Sequence, residues 1–258
     1  QMSFEAFFQK HGVAIVEFAL GDDDLTRIEN AFAGASSDDS ETTGSNTRAG
    51  QALPADFVDW LETHPALIEI ATRMLAAPAS LVQIKTFDKT PSANWFVPWH
   101  QDRAIAVANR HRLNGFKNWV ARDGHWTVEP PVWVLQQTVA LRIHLDATDE
   151  TNGPLEVLAN THSQGRLKRN EIAAEALSTT PMTCLCSRGD ILVISPLAVH
   201  RSQRAKSPSA RRVLHLDFSA AALPAPLNWA PLQPERAPLP EDAELHPLVR
   251  RLAPPRGA

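Results

Sequence analysis

The chain predicts an all-β core with flanking helices (α+β), an antiparallel barrel or jelly roll with the helices packed on one side. Three observations carry this. Helical periodicity is confined to the first third, and from Ser80 onward the pattern changes to short strands. Their separators, such as Thr151-Asn152-Gly153-Pro154 and Ser187-Arg188-Gly189-Asp190, are turn chemistry. A chain of 258 residues can bury such a core as one unit. The expected organisation is a single domain over 1–258, with a helical entry at 1–79, a barrel core at 80–222 and a proline-rich tail at 223–258 wrapped on the surface.

Residues 3–10 and 22–34 have helical spacing. The second segment opens on Asp22-Asp23-Asp24, acidic residues suited to a helix N-terminus, and puts Leu25, Ile28 and Phe32 on one stripe. His11-Gly12 between them leads into a short strand, Val13-Ala14-Ile15-Val16. The run from Gly34 to Gly50 is almost without apolar residues and reads as a mobile surface loop, and a further helix is expected near Ala55–Leu75. The strands that follow are Leu81–Phe87, Val134–Asp146, Leu155–Leu158, Met182–Leu185, Ile191–Ser195 and Arg212–Phe218. Arg103–Pro131 is long for a plain connection and reads as a lid.

Composition narrows the function classes. Hydrophobic residues are 43 %, charged residues 21 % and the formal net charge is −4, with no basic surplus for nucleic acid, so a small-molecule substrate is expected. The start, QMSFEAFFQKHG, lacks the charged-then-apolar pattern of a signal peptide, and no apolar run reaches the roughly 20 residues of a membrane span. A cytoplasmic protein with no membrane partner is the expectation. Cys184 and Cys186 are too close in sequence for an unstrained disulfide and read as buried thiols.

The spelling His-x-Asp occurs three times, at His100/Asp102, His144/Asp146 and His215/Asp217. On a strand, positions i and i+2 share a face, so each pair offers an imidazole and a carboxylate side by side. A third ligand from elsewhere completes a two-histidine, one-carboxylate face with open positions, which suits non-haem Fe(II). Context separates the three. The pairs at 144 and 215 sit in regular apolar–polar alternations and read as hydrogen-bonded strand faces. His100 ends the aromatic segment Phe96-Val97-Pro98-Trp99 and opens into the long loop, where a site mouth is expected. Downstream, the apolar strand from Ile191 ends in His200, and Arg211 begins the last strand. A hairpin would return that arginine to the histidine, where it is the natural anchor for a dicarboxylate ligand. Trp99, Trp119, Trp126 and Trp133 are candidates to wall the substrate pocket or close the lid.

Several motifs occur together: Phe87-Asp88-Lys89-Thr90-Pro91 with Asn94-Trp95 and Trp99-His100-Gln101-Asp102; Leu141-Arg142-Ile143-His144-Leu145-Asp146 with Asn152-Gly153-Pro154-Leu155 and Thr161-His162-Ser163; and Gly189-Asp190 with His200-Arg201-Ser202 and Arg211-Arg212. In order and spacing, this set over about 80–220 resembles the phytanoyl-CoA dioxygenase-like branch of the Fe(II)/2-oxoglutarate oxygenases, bacterial members above all. The resemblance implies a double-stranded β-helix, with Fe(II) held by His100, Asp102 and His200. It places 2-oxoglutarate on that metal with its far carboxylate on Arg211 and Ser202, and O2 as the second co-substrate. The implied reaction is hydroxylation of a small-molecule C–H bond with release of succinate and CO2. Asp102 favours hydroxylation, because halogenating relatives carry a small residue there. Arg142 stands where human-type members carry a tryptophan against the co-substrate. Three roles stay open for it: a co-substrate contact, tuning to an acidic substrate, or a structural ion pair with a neighbouring carboxylate. Gln83 is a further candidate for the co-substrate and Lys85 for the substrate. A cupin-like metal enzyme without 2-oxoglutarate would share the ligands but has no use for Arg211. A non-catalytic binding barrel would leave the whole set unexplained.

Overall fold

The computed structural model describes residues 2–35, 47–48, 53–89, 94–122, 125–206 and 211–233. Its elements are α1 (Phe4–His11), β1 (Val13–Val16), α2 (Asp22–Ala35), β2 (Thr47–Arg48), α3 (Ala55–Thr63), α4 (Pro65–Leu75), β3 (Ser80–Lys89), β4 (Val97–His100), β5 (Ile105–Val107), β6 (Lys117–Arg122), β7 (His125–Glu129), α5 (Val132–Gln136), β8 (Thr138–His144), β9 (Leu155–Leu158), α6 (Arg169–Ser178), β10 (Met182–Cys184), β11 (Ile191–Ile194), β12 (Val199–Ser202) and β13 (Arg211–Ser219). The strands form a six-stranded sheet in the order β1-β11-β8-β13-β3-β2 and a four-stranded sheet in the order β10-β9-β12-β4. A three-stranded sheet runs β5-β7-β6. All described pairings are antiparallel, and the two larger sheets make the jelly roll.

The alternation of residues assigns each face. On the outer face of the six-stranded sheet, Leu141, Ile143, Ile191, Val193, Leu214, Leu216 and Phe218 are buried against Phe8, Leu25, Ile28, Leu61, Leu67 and Met74 of the four N-terminal helices. Those apolar faces come out of water together, at about 25 cal/mol per Å², and this layer holds the helical third to the sheet. The inner face packs Val13, Ala140, Leu192 and Ile194 against Leu155 and Val157 of the smaller sheet. Cys184 and Cys186 lie in the same cluster as free, buried thiols, and burial pushes both up to about 12.

Local signals explain the element ends. Ser3 caps α1 by accepting from the Ala6 amide at 3.2 Å. Gly12 closes it in the left-handed region at φ 75°, with its amide on the Phe8 carbonyl at 2.7 Å. A Cβ on Gly12 would also stand 2.5 Å from Nδ1 of His162, so backbone and packing both demand glycine there.

Five expectations are corrected. The helix expected over Ala55–Leu75 is two helices, because Pro65 starts α4 and holds His64 before it in an extended conformation. Val134–Asp146 is a short helix followed by a strand, since α5 begins behind Pro131 and the strand starts only at Thr138. The run from Ile191 to His200 is not one strand. It turns at Pro196-Leu197, and His200 lies on β12 in the other sheet. Arg211 therefore meets β12 across the interior and not through a hairpin. Finally, residues 103–131 are mostly a small sheet, with Val107, Trp126 and Val128 buried in a cluster with Val134 and Leu197. α6 had no counterpart in the pattern because only Ile172 of it is buried, leaving no apolar stripe to detect. Most of the loop expected over Gly34–Gly50 and the tail from residue 234 onward lie outside the described residues.

Candidate metal centre

His100 and His200 are direct cross-strand partners in the β4–β12 pairing, with ring centroids 4.3 Å apart. Each ring is oriented the same way. Nδ1 of His100 donates to the Pro98 carbonyl at 2.8 Å and Nδ1 of His200 to the Ala198 carbonyl at 2.9 Å. A carbonyl can only accept, so each Nδ1 carries a proton, and in the neutral ring Nε2 is then the atom that presents a lone pair. Those two nitrogens face the Asp102 carboxylate at 3.7 and 3.8 Å, beyond hydrogen-bonding distance. Asp102 is placed by its own amide, which donates to the Pro196 carbonyl at 2.9 Å. Gln101 between them is buried and bonds the carbonyls of Gly165 and Leu197 and the amide of Leu167, which pins the segment from below.

The donor set fits a metal ion. All three ligand atoms lie within 4.8 Å of one another, and this is the one such group among the described residues. Burial works against ionisation of Asp102, but the neighbouring His200, Lys85, His100 and His215 outweigh it and hold the carboxyl below the usual carboxylate range. Burial pushes His200 below its ordinary value, with Asp102 opposing. A carboxylate and a neutral imidazole are the forms that ligate. Two imidazole nitrogens and one carboxylate suit Fe(II) and related divalent ions and leave other positions open.

Arg211 is 4 % exposed. Its Nη2 donates to Oγ of Ser202 at 3.4 Å, and Ser202 donates to the Gly153 carbonyl at 3.1 Å. Nε of Arg211 has no hydrogen-bond partner, and no carboxylate among the described residues pairs with it. Burial, with Arg142 nearby, pulls this guanidinium down to about 10. A buried guanidinium in that condition is costly unless an anion meets it.

The inner face of the large sheet carries a second polar row. Lys85 donates to Oδ2 of Asp217 at 3.0 Å, Nε2 of His215 donates to Oδ1 of Asp217 at 2.9 Å, and Arg142 donates to Nδ1 of His215 at 3.1 Å. Because Arg142 can only donate, Nδ1 of His215 accepts and that ring is neutral. Arg142 also lies over Phe87, 4.9 Å from the ring centroid. A direct ion pair with a carboxylate, one of the three roles open for Arg142, is absent among the described residues. His144 bonds Oγ1 of Thr148 at 2.8 Å and leaves Nε2 buried without a partner. Asp146 turns away to Arg212, at 2.8 Å.

A cleft beside Asp102 has a polar wall of Gln83, Lys85 and Asp217 and an apolar wall of Ile105, Leu135 and Trp229. Gln83 and Lys85 are thus next to the metal ligands. Trp99 and Trp119 are not. Trp99 faces the opposite side of β4 from His100, packs with Leu158 and Leu167, and lies under the Arg201 guanidinium at 4.5 Å. Trp119 packs edge-on to the buried Trp126. The apolar wall escaped sequence reading because Ile105 and Leu135 look like any core residue, and Trp229 lies beyond the strands that carried the motifs.

Fold and side chains together define a jelly-roll protein with a mononuclear two-histidine, one-carboxylate candidate centre. The phytanoyl-CoA dioxygenase (PhyH) family model matches residues 8–213, and the chain belongs to that family. Among solved structures it is similar to AviO1 from Streptomyces viridochromogenes Tue57, 20 % identical with a TM-score of 0.62, covering 86 % of this chain and 96 % of that one. It is also similar to the non-heme α-ketoglutarate-dependent carbocyclase SnoK from nogalamycin biosynthesis, 15 % identical with a TM-score of 0.64, over 97 % and 90 % of the two chains. HygX from Streptomyces hygroscopicus, solved with nickel, 2-oxoglutarate and hygromycin B, is 12 % identical with a TM-score of 0.58, over 82 % and 84 %. At these identities the likeness is one of fold. No curated protein matches the chain in sequence. No helix among the described residues is long and apolar enough to cross a membrane.

Proposed function

We propose that the protein is an Fe(II)- and 2-oxoglutarate-dependent dioxygenase that hydroxylates a C–H bond of a small molecule, with release of succinate and CO2. One observation carries the reading: two imidazole lone pairs and a carboxylate converge without bonding one another, in the same interior as a buried arginine that lacks a carboxylate. Membership of a dioxygenase family and likeness to SnoK and to HygX with its bound nickel and 2-oxoglutarate support it. When bound, Fe(II) and 2-oxoglutarate supply O2 activation and the oxidising power.

The chain's own residues do the rest. His100, Asp102 and His200 hold the metal, with the backbone carbonyls of Pro98 and Ala198 fixing the two rings as outer partners do at metal sites. Arg211 and Ser202 hold the far carboxylate of 2-oxoglutarate, the guanidinium by a charge-assisted bond. Beside Asp102 the apolar side chains of Ile105, Leu135 and Trp229 keep the surroundings of the metal ligands poor in water. Asp102 keeps the third protein position on the metal, which favours return of oxygen to the substrate over transfer of a halide.

The test is succinate release from 2-oxoglutarate with Fe(II) and ascorbate, with and without a metabolite extract, with product mass followed in parallel. The expected product gains one oxygen atom. Loss of two hydrogens without added oxygen would replace hydroxylation by a desaturating or ring-closing outcome, and failure to bind 2-oxoglutarate in the presence of metal would reject the class.

A further inference from the structure

On the inner face of the large sheet, a buried ring nitrogen beside the co-substrate arginine has no partner among the described residues. The alternation of β8 sends Leu141 and Ile143 to the helices and Arg142 and His144 to the interior, where His144 is 2 % exposed. His144 stands opposite Val213 on β13, and the pairing runs on past it, with the Leu145 amide on the Arg212 carbonyl at 3.1 Å. Arg211, two residues before Val213, shares its face and reaches across to Ser202. Diagonal neighbours of this kind lie roughly 7–8 Å apart, a span that long side chains cover. Nδ1 of His144 bonds Oγ1 of Thr148 at 2.8 Å, while its Nε2 and Nε of Arg211 are both buried without a hydrogen-bond partner. Polar atoms left in that state inside a folded protein call for a cause. Burial, then Arg142 and Arg211, hold the imidazole down to about 3, so the ring is neutral and carries one proton. The Thr148 hydroxyl can donate to Nδ1, and the proton then sits on Nε2. In that form His144 and Arg211 each offer a donor to the same part of the interior. An ionised carboxylate, which only accepts, satisfies both.

We propose that Nε2–H of His144 is a second anchor for the far carboxylate of 2-oxoglutarate, beside Arg211, with Thr148 holding the ring in the donating tautomer. The proposal rests on the oxygenase reading, which puts that carboxylate on Arg211. A neutral imidazole adds no charge to the interior. It adds direction, because a ring fixed at Nδ1 donates along one line. His144 thereby selects 2-oxo acids that carry a second carboxylate, and it has no part in holding the metal.

The test is calorimetry on the full chain loaded with Ni(II), without oxygen, so that nothing turns over. The ligands are 2-oxoglutarate and 2-oxopentanoate, the five-carbon 2-oxo acid that ends in a methyl group. Two variants divide the ring between them. In His144→Asn the amide stands near the place of Nδ1 and can still meet Thr148, but nothing replaces Nε2. In His144→Gln the amide nitrogen reaches about as far as Nε2. Affinity for 2-oxoglutarate is expected to fall at least about tenfold in His144→Asn and to stay within about threefold of the wild type in His144→Gln. 2-Oxopentanoate, whatever its affinity, should not distinguish the three proteins, and each should retain stoichiometric Ni(II). If the wild-type chain with Ni(II) binds no 2-oxoglutarate, the oxygenase reading fails and the proposal falls with it. Where the wild type does bind it, three results would overturn the proposal alone: full affinity in His144→Asn, an equal loss in both variants, or a loss that 2-oxopentanoate shares.

Discussion

His100–Asp102 and His215–Asp217 are spelled alike and folded apart in chemistry. In the second pair, histidine and carboxylate bond one another at 2.9 Å, and the outer valences go to Lys85 and Arg142. Both ring nitrogens and both carboxylate oxygens of that pair have a partner within the protein. In the first pair the histidine gives its proton to a backbone carbonyl two residues back, its lone pair stops 3.7 Å short of the carboxylate, and a second imidazole from β12 does the same at 3.8 Å. A His-x-Asp pair becomes a ligand pair when its neighbours leave it unsatisfied. It becomes a structural pair when they complete it.

Substitutions break this contrast in order of size. Alanine at His100, Asp102 or His200 should abolish stoichiometric metal binding, whereas His215→Ala should retain one metal per chain even as stability falls; metal analysis after dialysis reads both. Loss of metal from His215→Ala alone would reverse the assignment. Next is Arg211→Met, which leaves the far carboxylate of 2-oxoglutarate without its partner, a cost of roughly 3–5 kcal/mol. Affinity for 2-oxoglutarate should drop more than about a hundredfold by calorimetry, with metal affinity unchanged. Asp217→Asn should lower unfolding stability by about 3 kcal/mol in urea, because Lys85 loses its counter-charge in the interior, and it should leave metal stoichiometry intact.

The smallest effect is on pH dependence. His144 has an ordinary value of 6.5 and is held at about 3 by burial, with Arg142 and Arg211 adding to it. Below 6.5 the unfolded chain takes up a proton that the folded chain refuses, so stability is lost as pH falls from there toward 3 and is unaffected above. His144→Gln should remove up to about 1.4 kcal/mol per pH unit from that slope, seen as a shallower fall of urea stability between neutral and mildly acidic pH. An unchanged slope would show that His144 titrates alike in both states.

Much of the site was legible before the fold was known. The proposed residues His100, Asp102, His200, Ser202 and Arg211 could all be named from their order along the chain, but strand alternation did not place Asp102: β4 ends at His100, and Asp102 is set by its amide on the Pro196 carbonyl. Less was legible in the elements. His200 was read at the end of a strand that in fact stops before Pro196, and the strands of residues 103–131 lacked a long alternating run. The wall of Ile105, Leu135 and Trp229 left no trace, because apolar residues that line a cleft and those that fill a core obey the same periodicity.

By itself, then, the sequence determined residue chemistry and the face each residue takes: apolar positions toward the helices, polar positions toward the interior, and which side chains can ligate a metal. Only the tertiary structure decided which of three identical spellings stays open. That choice depends on cross-strand neighbours far away in the chain, Pro196 and His200 for one pair and Lys85 and Arg142 for another. A hydrogen bond or a charge is satisfied by whatever stands within about 3 Å of it, and proximity on that scale is set by strand pairing, not by position in the chain.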